Sequence, residues 1–354
     1  MASRCVVRGS INIDEFFPVK EIVRRGETIS SRELSRRAGG KGANQAVAVA
    51  KAGGLAVGIV GSVGEDGRWV VENLKDSGVD VADVQIIPES TGRAVIQLAD
   101  DGENSIILYK GANYASHPMK SIPTGATHVL LQNEIPSEDT LAYLESAAEA
   151  IPSPVTIFNP SPVPSDAEIT NIPWHNISWL IVNEGEASEL CNFLSRKPAD
   201  SSVPLNGEAP FVENISVYPT LLRLSSYMPK TNIVCTLGAE GVLALVPSFR
   251  NITAPITSQP ATTSQPELIS LPAIKLQDGV IDTTGAGDCF TGYLVAGLMK
   301  LHDEGVEFQR EGVVSILKRC IQAAGMCVQR RGAMESIPLA KEVDEAIAKL
   351  NSPA

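Results

Sequence analysis

The sequence contains no run approaching the roughly 20 consecutive apolar residues of a membrane-spanning helix. Its opening, MASRCVVRGSINID, has no long apolar stretch after the basic residues, so a secretory leader is not expected. The six cysteines, Cys5, Cys191, Cys235, Cys289, Cys320 and Cys327, form no Cys-x-x-Cys pair, which gives no support to a zinc ribbon or a dithiol redox motif. His117, His128, His175 and His302 are scattered without metal-ligand spacing. Positive charge is short as well: 29 Lys and Arg stand against 41 Asp and Glu, a formal net charge of −12. That field repels phosphate backbones and argues against nucleic acid as a partner, while leaving room for a local basic pocket around a small anion. There is no Gly-x-x-x-x-Gly-Lys-[Ser/Thr] P-loop, no Gly-x-Gly-x-x-Gly fingerprint and no Gly-x-Ser-x-Gly elbow. These absences describe a soluble chain in a reducing compartment without a membrane partner. The cytoplasm is its expected location, and the nucleus a second one.

What is present is ordinary for a globular protein: 44% apolar and 20% charged residues over 354 positions, enough to bury a sizeable core. Short apolar runs at 4–9, 56–61, 127–131, 154–158, 178–182 and 232–236 read as buried strands. Helical patterns at 43–52, 138–150, 184–194, 286–301 and 312–329 alternate with them. That alternation predicts an α/β fold with a mostly parallel sheet covered on both faces. Residues 11–36 and 91–110 carry strand-like pairs around turn residues and could form a small separate sheet. Residues 195–220 and 251–272, rich in Ser, Thr, Pro and Asn, read as surface insertions.

Ligands of such sheets sit at the carboxyl ends of strands, so polar and glycine clusters there carry the interest. Residues 281–297 read IDTTGAGDCFTGYLVAG: Gly285, Ala286 and Gly287 open a helix whose bare N–H groups and dipole suit an anion. Asp288, in the first turn, is either a helix-start charge or a base beside that anion. Residues 38–45, AGGKGANQ, also lead into a helix; Gly39 and Gly40 permit close approach, and Lys41 and Asn44 offer donors for hydroxyl oxygens. Asn12 and Asp14 alternate along an extended chain, so both can face one pocket, and Glu134 follows the strand at 127–131. Taken singly, these residues also fit a turn, a solvated lysine and a helix start.

Together, the segments Gly39–Ala52 and Asp282–Gly297 resemble the two signatures of the ribokinase family of carbohydrate kinases, the second in its Asp-Thr-x-Gly-Ala-Gly-Asp form. The order of elements agrees from Val6 to about residue 348. The resemblance implies a single domain over 1–354: a three-layer sandwich with a small β lid from 15–36 and 91–110, the lid also serving as a homodimer interface. It implies ATP-dependent phosphorylation of D-ribose at its 5-hydroxyl. By resemblance, Asn12, Asp14, Gly40, Lys41, Asn44 and Glu134 hold the sugar, Asp288 is the base, and Gly285, Ala286 and Gly287 form the anion hole. Asn183, Thr236, Gly238, Gly241 and Gly287 would meet ATP, and Glu186 would act on Mg2+ through water. An activating K+ would be held by Asp282, Thr284, Cys327, Arg330, Gly332 and Ser336, several through backbone carbonyls. One departure concerns the adenine-side helix, which reads RCIQAAGMC where an Asn or His is usual; Cys320 or Ile321 falls there. Three alternatives stand beside this reading. One is another kinase of the family, acting on fructose, adenosine or pseudouridine. The second is a silent relative that binds sugar or nucleotide, against which the intact Asp288 argues. The third is a dinucleotide-dependent oxidoreductase, which lacks its fingerprint.

Overall fold

Strand β1 (Arg4–Arg8) shows the pattern that the main sheet follows: Cys5 and Val7 enter one hydrophobic core, and Val6 enters another on the opposite face. The computed structural model describes residues 2–101, 103–195, 216–247, 266–276, 279–306 and 308–351. After β1 come β2 (Asn12–Val19), β3 (Ser35–Gly39), α1 (Lys41–Lys51), β4 (Ala56–Gly64), α2 (Arg68–Asp76), β5 (Val84–Ile87), β6 (Gly92–Ala99), β7 (Asn104–Tyr109) and β8 (His128–Gln132). Then follow α3 (Ser137–Glu149), β9 (Val155–Asn159), α4 (Asp166–Asn171), β10 (Trp179–Asn183), α5 (Glu184–Leu194), α6 (Tyr218–Tyr227), β11 (Asn232–Thr236), β12 (Val242–Val246) and β13 (Glu267–Leu271). The chain closes with α7 (Ala286–Glu304), α8 (Arg310–Cys327) and α9 (Ala340–Asn351).

Nine strands form the main sheet in the order β13-β12-β11-β10-β9-β8-β1-β4-β5, and only β12 runs against the others. Helices α1, α2, α7, α8 and α9 cover one face, and α3 to α6 the other. This is the three-layer architecture expected from the alternation. Strand β2 leaves the body to join β3, β6 and β7 in a separate four-stranded sheet, ordered β3-β2-β6-β7. The β6–β7 pair is an antiparallel hairpin, as the turn residues near 100 suggested. Among the described residues no helix is long and apolar enough to cross a membrane. None of the six cysteines is in a disulfide, and all are buried.

The structure differs from the sequence reading at the ends of the two insertions. Within 251–272, residues 267–271 are β13, the edge strand of the main sheet, with Ile269 buried against the core. Within 195–220, α6 begins at Tyr218. In both places a short amphipathic stretch is hidden beside a long polar one, so its periodicity is too brief to stand out. Residues 196–215 and 248–265, most of both insertions, lie outside the described residues.

Candidate active site

The carboxyl ends of β1, β8, β9, β10 and β11 lie side by side, and the N-termini of α1 and α7 converge on them. The turn after β1 is clamped to α1. Ser10 O accepts from Ala43 N at 2.9 Å, and Ser10 Oγ donates to Glu134 Oε2 at 2.6 Å. The same Glu134 oxygen accepts from Lys41 N at 3.0 Å, so this carboxylate sits on the positive end of α1. One of its oxygens is thus already engaged by two donors of the protein.

Strand β2 carries Asn12 and Asp14 on one face, as alternation predicts. Asp14 lies directly over Gly39: any Cβ there would fall inside its carboxylate, which is why the backbone can pass so close. Burial pushes the Asp14 carboxyl up to about 7, and the nearby charges of Glu134, Asp288 and Glu335 add to this against Arg37. Burial alone would lower the Lys41 ammonium, but Asp288, Glu134 and Glu186 outweigh it and raise it. Lys41 is therefore a firm cation inside a ring of carboxylates. Asn44, on the next turn of α1, donates from Nδ2 to Asp288 Oδ2 at 2.9 Å, and its Oδ1 is buried with no partner among the described residues. Acceptors and donors of this number, converging from β2, α1 and the β8 end, suit a polyol.

Helix α7 starts after Gly285, whose φ of 77° lies in the left-handed region, and whose missing Cβ would stand 2.9 Å from Ala333 Cα. The first-turn amides of Gly287 and Asp288 have no earlier helical carbonyl to bond. Asp288 is 8% exposed and accepts from Asn44 and from Gln45 Nε2, the latter at 2.9 Å on Oδ1. The two sequence motifs thus meet in one carboxylate.

On the neighbouring strands Asn183 and Thr236 are paired in register at the ends of β10 and β11. Asn183 and Glu186 cap α5 reciprocally: Glu186 N donates to Asn183 Oδ1, and Asn183 N to Glu186 Oε2, both at 2.9 Å. Gly238 and Gly241 bracket the turn between β11 and β12. Cys320 and Ile321, expected at the adenine side, are buried in the core between α8 and the sheet, so neither side chain faces outward.

Two loops meet behind the α7 N-terminus. Asp282 accepts from Thr284 N and from Gly332 N, each at 2.9 Å, and Ser336 Oγ donates to Ala333 O at 2.8 Å. Burial pushes the Asp282 carboxyl up, but these N–H groups outweigh it and hold it below the usual range. The Asp282 carboxylate, and loop carbonyls such as Cys327 O and Ala333 O that each keep a second lone pair, are oxygen donors of the type that suits a hard monovalent cation. Cys327 Sγ pairs with Ser336 Oγ at 2.9 Å, and Cys327 O accepts from Arg330 N, while the Arg330 guanidinium turns away to Glu342 at 2.6 Å. Only backbone atoms of Arg330 could therefore serve an ion. Among the described residues no group of three or more His, Cys, Asp or Glu side chains could hold a metal ion by itself.

The sequence reading missed Asn113, Arg37 and the buried amides Gln45, Gln132 and Asn159. Asn113 follows β7; its Nδ2 donates to Asn12 Oδ1 at 2.6 Å and its Oδ1 accepts from Ile11 N at 2.9 Å. This fixes the Asn12 amide with its Nδ2 free to donate. Nothing near position 113 marks it in the sequence, because its partners lie about a hundred residues earlier. Asn113→Asp removes that donor and sets two acceptors face to face. The expected result is a sugar KM raised by about tenfold, with kcat changed far less; steady-state kinetics check it, and an unchanged KM would remove Asn113 from the site.

Comparison with known proteins supplies the context. The model of the family described as pfkB family carbohydrate kinase matches residues 2–340. The chain is 29% identical over 353 residues to the ribokinase of Lactococcus lactis, covering 97% of each. A crystal structure of ribokinase from Cryptococcus neoformans var. grubii serotype A in complex with ADP superposes with a TM-score of 0.80 at 43% identity, covering 98% of this chain and 99% of that one. The structure of Arabidopsis thaliana ribokinase complexed with ribose and ATP gives 0.72 at 28% identity, covering 98% of each chain.

Proposed function

The chain belongs to the pfkB family of carbohydrate kinases, and from that premise we propose how its residues divide the work of phosphorylating a sugar. It is an ATP-dependent kinase acting on ribose, in line with its ribokinase relatives. The observation that carries the site reading is Asp288, which stands in the first turn of α7 and accepts from Asn44 of the other motif. Asn12, Asp14, Gly40, Lys41, Asn44 and Glu134 hold the sugar hydroxyls, and Asp288 takes the proton from the 5-hydroxyl. The amides of Gly285, Ala286 and Gly287 face the charge on the transferring phosphoryl group, that of Ala286 giving up its long 3.3 Å bond to Thr283 O to do so. Asn183, Thr236, Gly238 and Gly241 border the ATP site, and Lys41 adds a half-buried positive charge beside it. Transfer of this kind rests on positioning and charge stabilisation rather than on covalent help.

Glu186 is the residue that would reach Mg2+ through water; the ion, when bound, neutralises phosphate charge. Asp282 and Thr284, with the backbone of Cys327, Arg330 and Gly332 and the Ser336 hydroxyl, would hold K+, which adds positive potential beside the anion hole. The four-stranded sheet is the lid, whose closing excludes water. Cytoplasm and nucleus are the proposed locations. The test is ADP release with ATP and Mg2+ across ribose, deoxyribose, fructose, adenosine, pseudouridine and no sugar, with and without K+. Ribose-dependent turnover raised by K+ supports the reading, and preference for another acceptor would overturn the sugar assignment.

The lid also supports a homodimer. Ile106, Ile107, Leu108 and Tyr109 on its edge strand β7 are all exposed. By register, Ile107 lies on the face opposite Asp14, Ala94 and Leu108. Ile107→Lys is therefore expected to shift the protein from dimer to monomer in light scattering without touching the sugar face. A wild-type monomer at micromolar concentration would refute the dimer.

A further inference from the structure

Gln45 is fully buried on α1, one residue beyond Asn44, and its amide joins three neighbours. Its Nε2 donates to Asp288 Oδ1 at 2.9 Å and to Asn159 Oδ1 at 3.0 Å, and its Oε1 accepts from Gln132 Nε2 at 2.6 Å. Asn159, the last residue of β9, donates from Nδ2 to Ile181 O of β10 at 2.9 Å. A backbone carbonyl can only accept, so Asn159 must turn its NH2 group to Ile181 and its oxygen to Gln45. Gln45 must then present its own NH2 group to Asn159, and the same group meets Asp288. Gln132 secures this from the other side by donating to the Gln45 oxygen. Amide orientation thus runs, without a free choice, from a carbonyl in the sheet to one oxygen of the carboxylate.

We propose that Gln45, oriented by Asn159 and Gln132, is a positioning residue for Asp288: it fixes the plane of the carboxylate by holding its inner oxygen, Oδ1, so that Oδ2, on the Asn44 side, is turned to receive the acceptor proton. This inference rests on the reading of Asp288 as the base. Gln45 follows Asn44 on α1, and among the described residues its side-chain hydrogen bonds go to Asp288, Asn159 and Gln132. The charged and titratable groups facing Asp288 from the packed elements are Lys41 on α1, Asp14 on β2, Cys289 on α7 and Cys327 on α8. None of them bonds its Oδ1, so Gln45 alone among the described residues governs that side.

The test uses the full-length protein and the isosteric change Gln45→Glu, which sets a carboxyl group against two acceptors, Asp288 Oδ1 and Asn159 Oδ1. The new acid and Asp288 would titrate as a pair with a raised apparent pKa. The expected result is a kcat at neutral pH lowered by about 10- to 100-fold, KM values for ribose and ATP changed far less, and an acid limb of kcat/KM moved up by about one pH unit or more. Asn159→Ala, which loosens Gln45 from one side, is expected to lower kcat in the same direction by a smaller factor, and it serves if Gln45→Glu does not fold. An acid limb that stays in place in Gln45→Glu, or an Asn159→Ala enzyme with unaltered kcat, overturns the proposal. A wild-type enzyme without ribose-dependent ADP release, or an Asp288→Asn enzyme with full turnover, removes the underlying reading and the proposal with it.

Discussion

Asp288→Asn is expected to lower kcat by about 10²- to 10⁴-fold, the range that a well-placed general base contributes. The size of the loss has two sources. The amide cannot take the proton from the acceptor hydroxyl. It also cannot accept on both sides: one of its atoms becomes an NH2 group facing either Asn44 Nδ2 or Gln45 Nε2, which both donate. KM for ATP should change little, because among the described residues the Asp288 carboxylate accepts from Asn44 and Gln45 and from no nucleotide-side residue. Steady-state kinetics and a nucleotide titration separate the two. Near-normal turnover would remove Asp288 as the base, and a parallel loss of ATP affinity would place it in the nucleotide site instead.

Asp14→Asn is expected to raise the ribose KM by about 100-fold or more, since a buried carboxylate can accept two hydroxyls and each such charged hydrogen bond contributes about 1.5–3 kcal/mol. The same substitution should stabilise the ligand-free protein above neutral pH. The Asp14 carboxyl is raised to about 7 by burial first, and then by Glu134, Asp288 and Glu335. Between its unfolded value of about 3.9 and about 7, the folded state holds a proton that the unfolded chain has lost. Stability therefore falls as pH rises through that window and levels off above it. Over the whole window the cost is on the order of a few kcal/mol. Asn carries no charge, so its melting temperature should exceed the wild type at pH 8 and match it near pH 4. Ribose affinity of the wild type should rise as pH climbs through about 7, because hydroxyl donors favour the ionised acid. A ribose KM that is flat with pH, or a variant no more stable at pH 8, would contradict this account of Asp14. A site residue that strains the empty protein and is relieved by its ligand is expected where function overrides local stability.

Much of this was legible along the chain. Six of the strands were marked by short apolar runs because a strand buried on both faces needs apolar residues at every position, as Val6 and Val7 do. Helix α1 was marked by its alanines, and α7 by the glycines before it. The turn residues after β1 and before α1 and α7 pointed to the ligand edge, since glycines and polar groups gathered at the carboxyl ends of parallel strands leave backbone and side-chain donors facing the crevice there. Strands β12 and β13, helices α6 and α9 and the start of the lid were less visible. Their apolar faces are short, or are interrupted by polar neighbours, and only pairing with distant elements gives them their structure.

What the sequence determined by itself was the set of groups: the acid in the first turn of α7, the bare helix amides, the lysine and the other carboxylates, each named by residue type and by spacing within a few positions. What only the tertiary structure decided was their relation. Asn44 and Asp288 are 244 residues apart and share a hydrogen bond; Asn12 is oriented by Asn113, 101 residues later. Whether Asp14 is ionised depends on Glu134, Asp288 and Glu335 and on the burial of its place on β2, and whether Gln45 gives its NH2 group to Asp288 depends on a carbonyl in β10. The reason is physical: a side chain's chemistry is written in its residue type, but its orientation, its desolvation and its neighbours' charge are set only when strands far apart in sequence pair and carry their ends to one edge.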